Sequence, residues 1–168
     1  MKKIITVMLM LILCFSLSGC AFLKPVMTEE VNTTENAKNF YDKVIESKFI
    51  LDKVATDVCA AWKDATLDYN FSTKDVNSAI EKAKNAQSEN IAKVYELDKE
   101  IRKLFDKAKT EMKDVSAEYA LKQVMTEYSE YMDDIINANE ALDSSGYISI
   151  SSSKDSLDRA LQNLFVEL

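Results

Sequence analysis

Apolar residues recur at alternating steps of three and four along most of the chain, which is the spacing of one face of an α-helix. The first such stretch runs from about Glu35 to Leu67, with Thr33 or Thr34 placed to cap its start. Lys48 is the one polar residue on the stripe, whose other members are Ala37, Tyr41, Val44, Leu51, Ala55, Val58, Trp62 and Ala65. The pattern predicts a long first helix with more than one neighbour.

The second stretch begins with a capping-box pattern, in which Ser72 caps the helix and Asp75 follows three residues later. Its stripe continues for about forty residues and keeps its helical phase through the polar positions Gln87 and Asn90. Because a broken helix has no reason to keep that phase, we predict one continuous helix. The alternative is a kink between Lys84 and Asn90.

A turn around Asp114 to Ser116 leads into the third predicted helix, which ends near Leu142, before Ser144-Ser145-Gly146. The alternation of apolar and polar residues over 147–151 predicts a loop that holds its apolar side chains against the bundle. A second capping-box spacing then starts a short fourth helix at Ser152, with one leucine face: Leu157, Leu161, Leu164 and Leu168.

The chain contains one proline and two glycines in 168 residues, against average usage of about 5% and 7%, so it has few sites for turns. Long helices joined by short connections pack as antiparallel neighbours. We therefore predict an all-α fold, an elongated antiparallel three-helix bundle with a short C-terminal fourth helix, formed by residues 34–168. Residues 20–33 lack helical periodicity and contain Pro25, which predicts a tether.

The first twenty residues have the organisation of an export signal. Two lysines precede an apolar run over residues 4–17, about 21 Å long as a helix and too short for the roughly 30 Å hydrocarbon core of a membrane. The motif Leu17-Ser18-Gly19-Cys20 follows at once and resembles the lipobox of bacterial lipoproteins. The resemblance implies removal of residues 1–19 and a diacylglyceryl thioether on Cys20, which would anchor the mature chain to a bacterial cell membrane or outer membrane.

The formal charge of the chain is −7, and it becomes −9 once Lys2 and Lys3 leave with the signal. An acidic chain without a basic run argues against binding to nucleic acid and against electrostatic adhesion to anionic lipid. We therefore expect the lipid on Cys20 to make the contact with the membrane. Of the three cysteines, Cys59 then remains as a free thiol, and its apolar neighbours predict a small buried side chain.

The chain has no histidine, which removes the commonest general base and the commonest metal ligand. Two glycines cannot form the glycine-rich loops that hold phosphates and dinucleotides. The acidic residues of the third predicted helix have the spacing of a solvated face and not of a calcium loop, and they are Glu127, Glu130, Asp133, Asp134 and Glu140. We predict a protein that is not an enzyme and that has no cofactor or metal.

Polar residues interrupt the apolar stripes at Lys48, Gln87 and Asn90, and Tyr128 of the third helix adds a hydroxyl group. Antiparallel pairing predicts that these residues lie at similar levels of the bundle. One interpretation is a layer that binds a ligand between the helices. The other, which is the better attested use of such positions, is a polar layer that fixes the register of the helices.

Aromatic residues and isoleucines gather at the predicted end of the bundle remote from the tether, and they are Tyr69, Phe71, Tyr147, Ile148 and Ile150. Such side chains are typical of protein-binding surfaces, although they also fold inward to cap a bundle. We predict a lipid-anchored, non-enzymatic module that binds an envelope protein through this end. The alternative is a carrier of a small apolar ligand, held at the polar layer between the helices.

Overall fold

The computed structural model describes residues 35–67, 73–138 and 144–168, which lie in one compact unit, Asn32–Leu168. These residues form five helices and no strand, so the prediction of an all-α fold is confirmed. The helices are α1 Glu35–Thr66, α2 Thr73–Ala86, α3 Ser88–Glu111, α4 Val115–Ile136 and α5 Ser144–Glu167. The predicted signal, Cys20, the tether and the cap residue Ser72 lie outside the described residues, as do the side chains of 73, 74 and 144–148.

α1 follows the predicted first helix closely. Glu35 lies in its first turn and Lys63 in its last, where each charge interacts favourably with the helix dipole. Most of its predicted stripe is buried, and the buried face is widened by Phe40, Ser47, Ile50 and Val54. This width fits the position of α1, which contacts each of the other four helices.

The predicted second helix is divided at Gln87, so the prediction of one continuous helix is wrong and an interruption between Lys84 and Asn90 is correct. Gln87 has φ −102° and ψ 14°, outside the helical range. Its N–H is shared between the carbonyls of Ala83 at 3.2 Å and Lys84 at 3.0 Å, and helical bonding resumes where Ile91 N–H donates to the Gln87 carbonyl at 2.9 Å. Only one residue leaves the helix, which explains why the apolar stripe keeps its phase on both sides.

α4 begins at the predicted turn. The Asp114 carboxylate caps it by accepting hydrogen bonds from the N–H groups of Ser116 at 2.7 Å and Ala117 at 3.2 Å. The helix ends at Ile136, before the predicted end at Leu142, with Asn137 as its C-cap. Residues 139–143 lie outside the described part of the chain.

The C-terminal segment departs furthest from the prediction. The predicted loop at 147–151 and short helix from Ser152 are wrong, because one helix of 24 residues begins at Ser144 and continues through Gly146. The buried residues of this helix have helical spacing, and one of them, Ser153, is polar. The Ser153 hydroxyl donates to the Ile150 carbonyl at 3.3 Å, so the buried serine is satisfied within the helix.

Side-chain contacts fix the directions of the long helices. α1 and α3 are antiparallel, because Asn36 bonds Glu111 at 2.8 Å while Glu46 pairs with Lys93 at 3.1 Å. α4 and α5 are also antiparallel, and their paired residues are Ser116 with Glu167 at 3.1 Å and Asp134 with Ser149 at 2.9 Å.

α1 and α4 run in the same direction, because Ser47 meets Tyr128 while Asp52 meets Tyr131 further along both helices. The result is an up-down-up-down arrangement of four helical segments. The second segment consists of α2 and α3 together, and both of these helices pack on α1. α5 packs along α4 and also against α1, so the fourth helix is a full member of the bundle and not a short addition to three helices.

We call the end of the bundle at which α1 begins the near end, and it also contains the end of α3, the start of α4 and the end of α5. The opposite end, at which α1 ends, is the far end. One apolar core joins residues of all five helices. Its largest fully buried side chains include Tyr128, Tyr131 and Phe40. None of the described helices has the combination of length and apolar character that a membrane crossing requires.

Candidate functional site

A cleft of about 420 Å³ opens between α1 and α5, in the half of the bundle toward the far end. Tyr131 of α4 also lines the cleft, and the buried side chains of Ala55 and Ile150 form part of its apolar wall. Its remaining lining residues are Asp52, Thr56, Cys59, Ala60, Lys63, Ser151 and Lys154. The cleft is therefore an apolar surface with polar groups at its rim, which is the usual composition of a binding site.

A network of charged groups lies at one end of this cleft. The Lys48 ammonium group is 2.8 Å from the Asp52 carboxylate and 2.9 Å from the Asp158 carboxylate, so it joins α1 to α5. Lys154 pairs with Asp158 at 2.9 Å, and the Tyr131 hydroxyl donates to Asp52 at 2.7 Å, which adds α4. The network thus connects three helices through hydrogen-bonded charges.

Three groups in and beside the cleft, Cys59, Tyr131 and Lys48, have raised pKa values. Burial raises the pKa of the Cys59 thiol, and burial followed by the hydrogen bond to Asp52 raises the pKa of Tyr131. Burial alone would lower the pKa of Lys48, but its bonds to Asp52 and Asp158 raise it overall. All three groups hold their protons at neutral pH.

Tyr128 lies in a separate, fully buried contact. Its hydroxyl oxygen is 3.0 Å from the Ser47 hydroxyl oxygen, and it also donates to the Met132 sulfur at 3.9 Å. Both Tyr128 and Ser47 are 0% exposed. Burial raises the pKa of Tyr128 to about 12. This pair satisfies its own polar atoms and leaves no opening toward the cleft network.

Gln87 and Asn90 form a third cluster, on the side of α1 that faces α2 and α3. The Gln87 amide donates to the Asp57 carboxylate, and the Asn90 amide donates to the Gln87 side-chain oxygen. Lys48 instead faces α5. The prediction that Lys48, Gln87, Asn90 and Tyr128 form one layer is therefore wrong. Different residues of α1 make these contacts, and they face α5, α4 and the junction of α2 with α3.

The predicted protein-binding residues at the far end are only partly described. Tyr69 and Phe71 lie outside the described residues, and Tyr147 and Ile148 belong to α5 with side chains that are also outside them. Ile150 is 4% exposed and lines the cleft, so it is a core residue and not an exposed member of the tip. The described topology does bring the end of α1 and the start of α5 to this same end of the bundle.

The acidic residues of α4 line a second, more polar cleft of about 280 Å³, opposite serines of α5. Glu127, Glu130 and Asp134 contribute from α4, and the Ser149 hydroxyl donates to Asp134 at 2.9 Å. Within residues 35–67, 73–138 and 144–168, no group of three or more acidic or cysteine side chains is arranged to hold a metal ion. Glu140 lies outside these ranges.

Sequence analysis missed the charged network beside the cleft, although part of its pattern is present in the sequence. Lys48 and Asp52 are four residues apart on α1, and Lys154 and Asp158 have the same spacing on α5. Each pair alone is typical of a solvated helix face. Only the packing of α5 against α1, which was not predicted, brings the two pairs together.

Comparison with known proteins gives no relative for this chain: no family model, no curated protein and no solved structure matches it.

Proposed function

We propose that this chain is a lipid-anchored, non-enzymatic helical-bundle protein on the outer side of a bacterial membrane, and that it acts as a protein-interaction module. The lipobox-like motif ending at Cys20 supports the anchor. The α1–α5 cleft supports the binding role, because it places an apolar wall and a polar rim in the half of the bundle toward the far end.

The chemistry of the cleft supports the non-enzymatic part of this proposal, because the chain has no histidine, the commonest general base, and the pKa shifts agree with this interpretation. Catalytic acids, bases and nucleophiles are usually tuned toward neutral pH. Cys59, Tyr131 and Lys48 are shifted away from it, so the thiol and the phenol stay protonated and the amine stays charged. These groups are suited to hydrogen bonding and charge pairing and not to proton transfer or nucleophilic attack.

We propose that the partner protein contacts the cleft rim and the neighbouring far end. The rim is accessible, since Ala60 and Lys63 of α1 and Ser151 of α5 are all exposed. Leu67, which follows α1 at the far end, is 68% exposed and extends the apolar surface. The far-end residues Tyr69, Phe71, Tyr147 and Ile148 stay part of this proposal.

A carrier of a small apolar ligand is the second candidate function, and the volume of the cleft favours it. Ligand sites of proteins commonly have volumes of about 300 to 1,000 Å³, and a cleft of about 420 Å³ falls in this range. The ligand would lie against Ala55 and Ile150, in place of the polar layer predicted from the sequence.

Site-specific photo-crosslinking in intact cells tests the proposal. A benzophenone amino acid at Ala60, on the cleft rim, should give one discrete protein adduct in the membrane fraction. The matched control places the same amino acid at Ala92, which is equally exposed but lies on α3, and it should give none. A Cys20→Ala variant should leave the membrane fraction and lose the adduct.

Equal adducts from positions 60 and 92, or none from position 60, would contradict a protein partner at the cleft. Native mass spectrometry of the purified protein then decides between the two functions. A small molecule retained at one per chain, and lost on substitution Ala55→Trp, would favour the carrier.

A further inference from the structure

We propose that the near end of the bundle docks onto the interface of the lipid bilayer, so that the domain stands on the membrane with its cleft directed outward. This inference rests on the proposed lipid anchor at Cys20, and it adds a second contact with the membrane that the protein surface itself makes.

The observation that points to this contact is the position of the exposed apolar side chains. Eight large apolar residues of the described chain are exposed, and four of them lie at the near end, between 66% and 82% exposed: Val115, Tyr119, Phe165 and Val166. Val115 and Tyr119 occupy the first two turns of α4, and Phe165 and Val166 occupy the last turn of α5. The Ser116 to Glu167 hydrogen bond joins these two turns.

The other four exposed apolar residues do not form a comparable group. Ile45 and Phe49 lie in the middle of α1, Leu67 follows it at the far end, and Tyr95 lies on α3. An apolar surface gathered at one end of a bundle marks a site of contact with another protein or with a membrane.

The covalent link between this end of the bundle and the proposed lipid anchor favours the bilayer as the surface that it contacts. Fourteen residues lie between Cys20 and Glu35, and this segment spans at most about 50 Å when fully extended. Because this segment leads directly into the start of α1, the near end is the end of the bundle to which the proposed anchor is joined. The exposed apolar side chains therefore lie at the end of the bundle that the proposed anchor joins.

The charges at this end indicate which kind of lipid contact is made. Lys109 and Lys113 alternate with Glu111 and Asp114, so no net positive surface faces the anionic headgroups. The contact must therefore come from apolar and aromatic insertion at the headgroup level, where tyrosine is a favoured residue. Docking should not require anionic lipid.

Fluorescence quenching by brominated lipid tests this inference on the intact lipidated protein. The chain has one tryptophan, Trp62, near the far end, which serves as the built-in control. A Trp62→Phe, Tyr119→Trp variant moves the fluorophore to the near end. In vesicles of phosphatidylcholine brominated near the headgroup, the variant should be strongly quenched and the wild-type protein should not.

Further substitutions on the same surface show whether docking causes the quenching. Val115→Ser, Phe165→Ser and Val166→Ser together should reduce the quenched fraction about tenfold, because they remove most of the apolar area that inserts. Circular dichroism confirms that this variant is folded, and the three positions are exposed enough for that to be expected.

Three results overturn the inference, and each differs from failure of the anchor. Equal quenching of Trp62 and of the tryptophan at position 119 would indicate a bundle that lies flat or moves freely. Absence of quenching in protein that floats with the vesicles would show an anchored domain that does not dock. Quenching that falls as the protein density in the membrane rises would assign the surface to contact between copies. Protein that does not float at all contradicts the lipid anchor instead.

Discussion

The pair α1 and α3 and the pair α4 and α5 are both antiparallel, yet they are built from side chains of different sizes. Large residues meet between α1 and α3, where the rings of Phe40 and Phe105 lie 5.9 Å apart. Small residues of α5 face α4, and they include Ser149, Ser153, Ser156 and Ala160. The first pair packs large aromatic rings together, whereas the second brings small side chains of α5 against α4.

The rims of the two contacts differ in the same way. Between α1 and α3 long charged side chains bridge the helices, with Lys43 to Glu100 at 3.4 Å and Lys93 to Glu46 at 3.1 Å. Between α4 and α5 short hydroxyl groups meet carboxylates, as in Ser149 to Asp134 at 2.9 Å. Long side chains thus bridge the first contact and short ones bridge the second, so opposite substitutions should damage the two contacts.

Phe40→Ala should have the largest effect, a loss of about 3 to 5 kcal/mol in the free energy of unfolding. Phe40 is 0% exposed, so its removal costs both transfer free energy and a cavity that Phe105 cannot fill. Urea denaturation followed by circular dichroism measures the loss. Phe49→Ala is the matched control on the same helix, and because Phe49 is 78% exposed the control should change the free energy by less than about 0.5 kcal/mol. Equal losses would refute the assignment of Phe40 to the core.

Ala160→Leu tests the second contact by adding volume, and it should cost about 1 to 3 kcal/mol. Ala160 is 0% exposed on the face of α5 that bears Ser153 and Ser156, so a leucine has no space unless the helices separate. Asn163→Leu is the control, because position 163 is exposed on the same helix and accepts the larger side chain. A stability equal to that of wild type would show that α4 and α5 are not closely packed. Thermal unfolding of both variants under one set of conditions provides the comparison.

The same difference in side-chain size explains which parts of the fold the sequence could predict. α1 was predicted to within a residue at each end, because its large apolar residues mark the buried face without ambiguity. Residues 147–151 of α5 were predicted as a loop, because their apolar and polar residues alternate, and the burial of Ser153 at the start of the predicted fourth helix was not foreseen. A serine that bonds a carbonyl of its own helix is compatible with a core position, and hydrophobic periodicity alone does not detect it.

The candidate site could be predicted only in part, for a related reason. Lys48 was recognised as a polar residue on an apolar stripe, but it was placed level with α3 and not beside α5. Its actual partners, Asp52 and Asp158, lie on α1 and α5, and the packing of these two helices against each other was not predicted. Tyr131 is buried on α4 and also bonds Asp52, a dual role that the apolar pattern conceals.

Lys48→Met should have the smallest effect of the three and should sharpen the comparison, since the Lys48 network joins α1, α4 and α5. We expect a loss of about 1 kcal/mol at neutral pH, because the partners of Lys48 are only partly buried. Burial alone would raise the pKa of Asp158, but Lys154 and Lys48 together lower it. Its contribution to stability is therefore complete above the unfolded pKa of about 3.9 and is lost as the pH falls through the lower folded pKa.

Without Lys48, the pKa of Asp158 in the folded protein should rise toward its unfolded value. The loss of stability that protonation of Asp158 causes at low pH should therefore be smaller in the variant. The difference in the free energy of unfolding between wild type and Lys48→Met should then be largest near pH 7 and shrink below about pH 4. Lys154→Met is the comparison variant, because Lys154 also lowers the pKa of Asp158 but acts within α5, so it should show the same pH trend without separating α5 from α1. Urea titrations at a series of pH values measure all three proteins. A difference that is constant with pH would mean that Lys48 acts through the packing of its aliphatic chain and not through its charge.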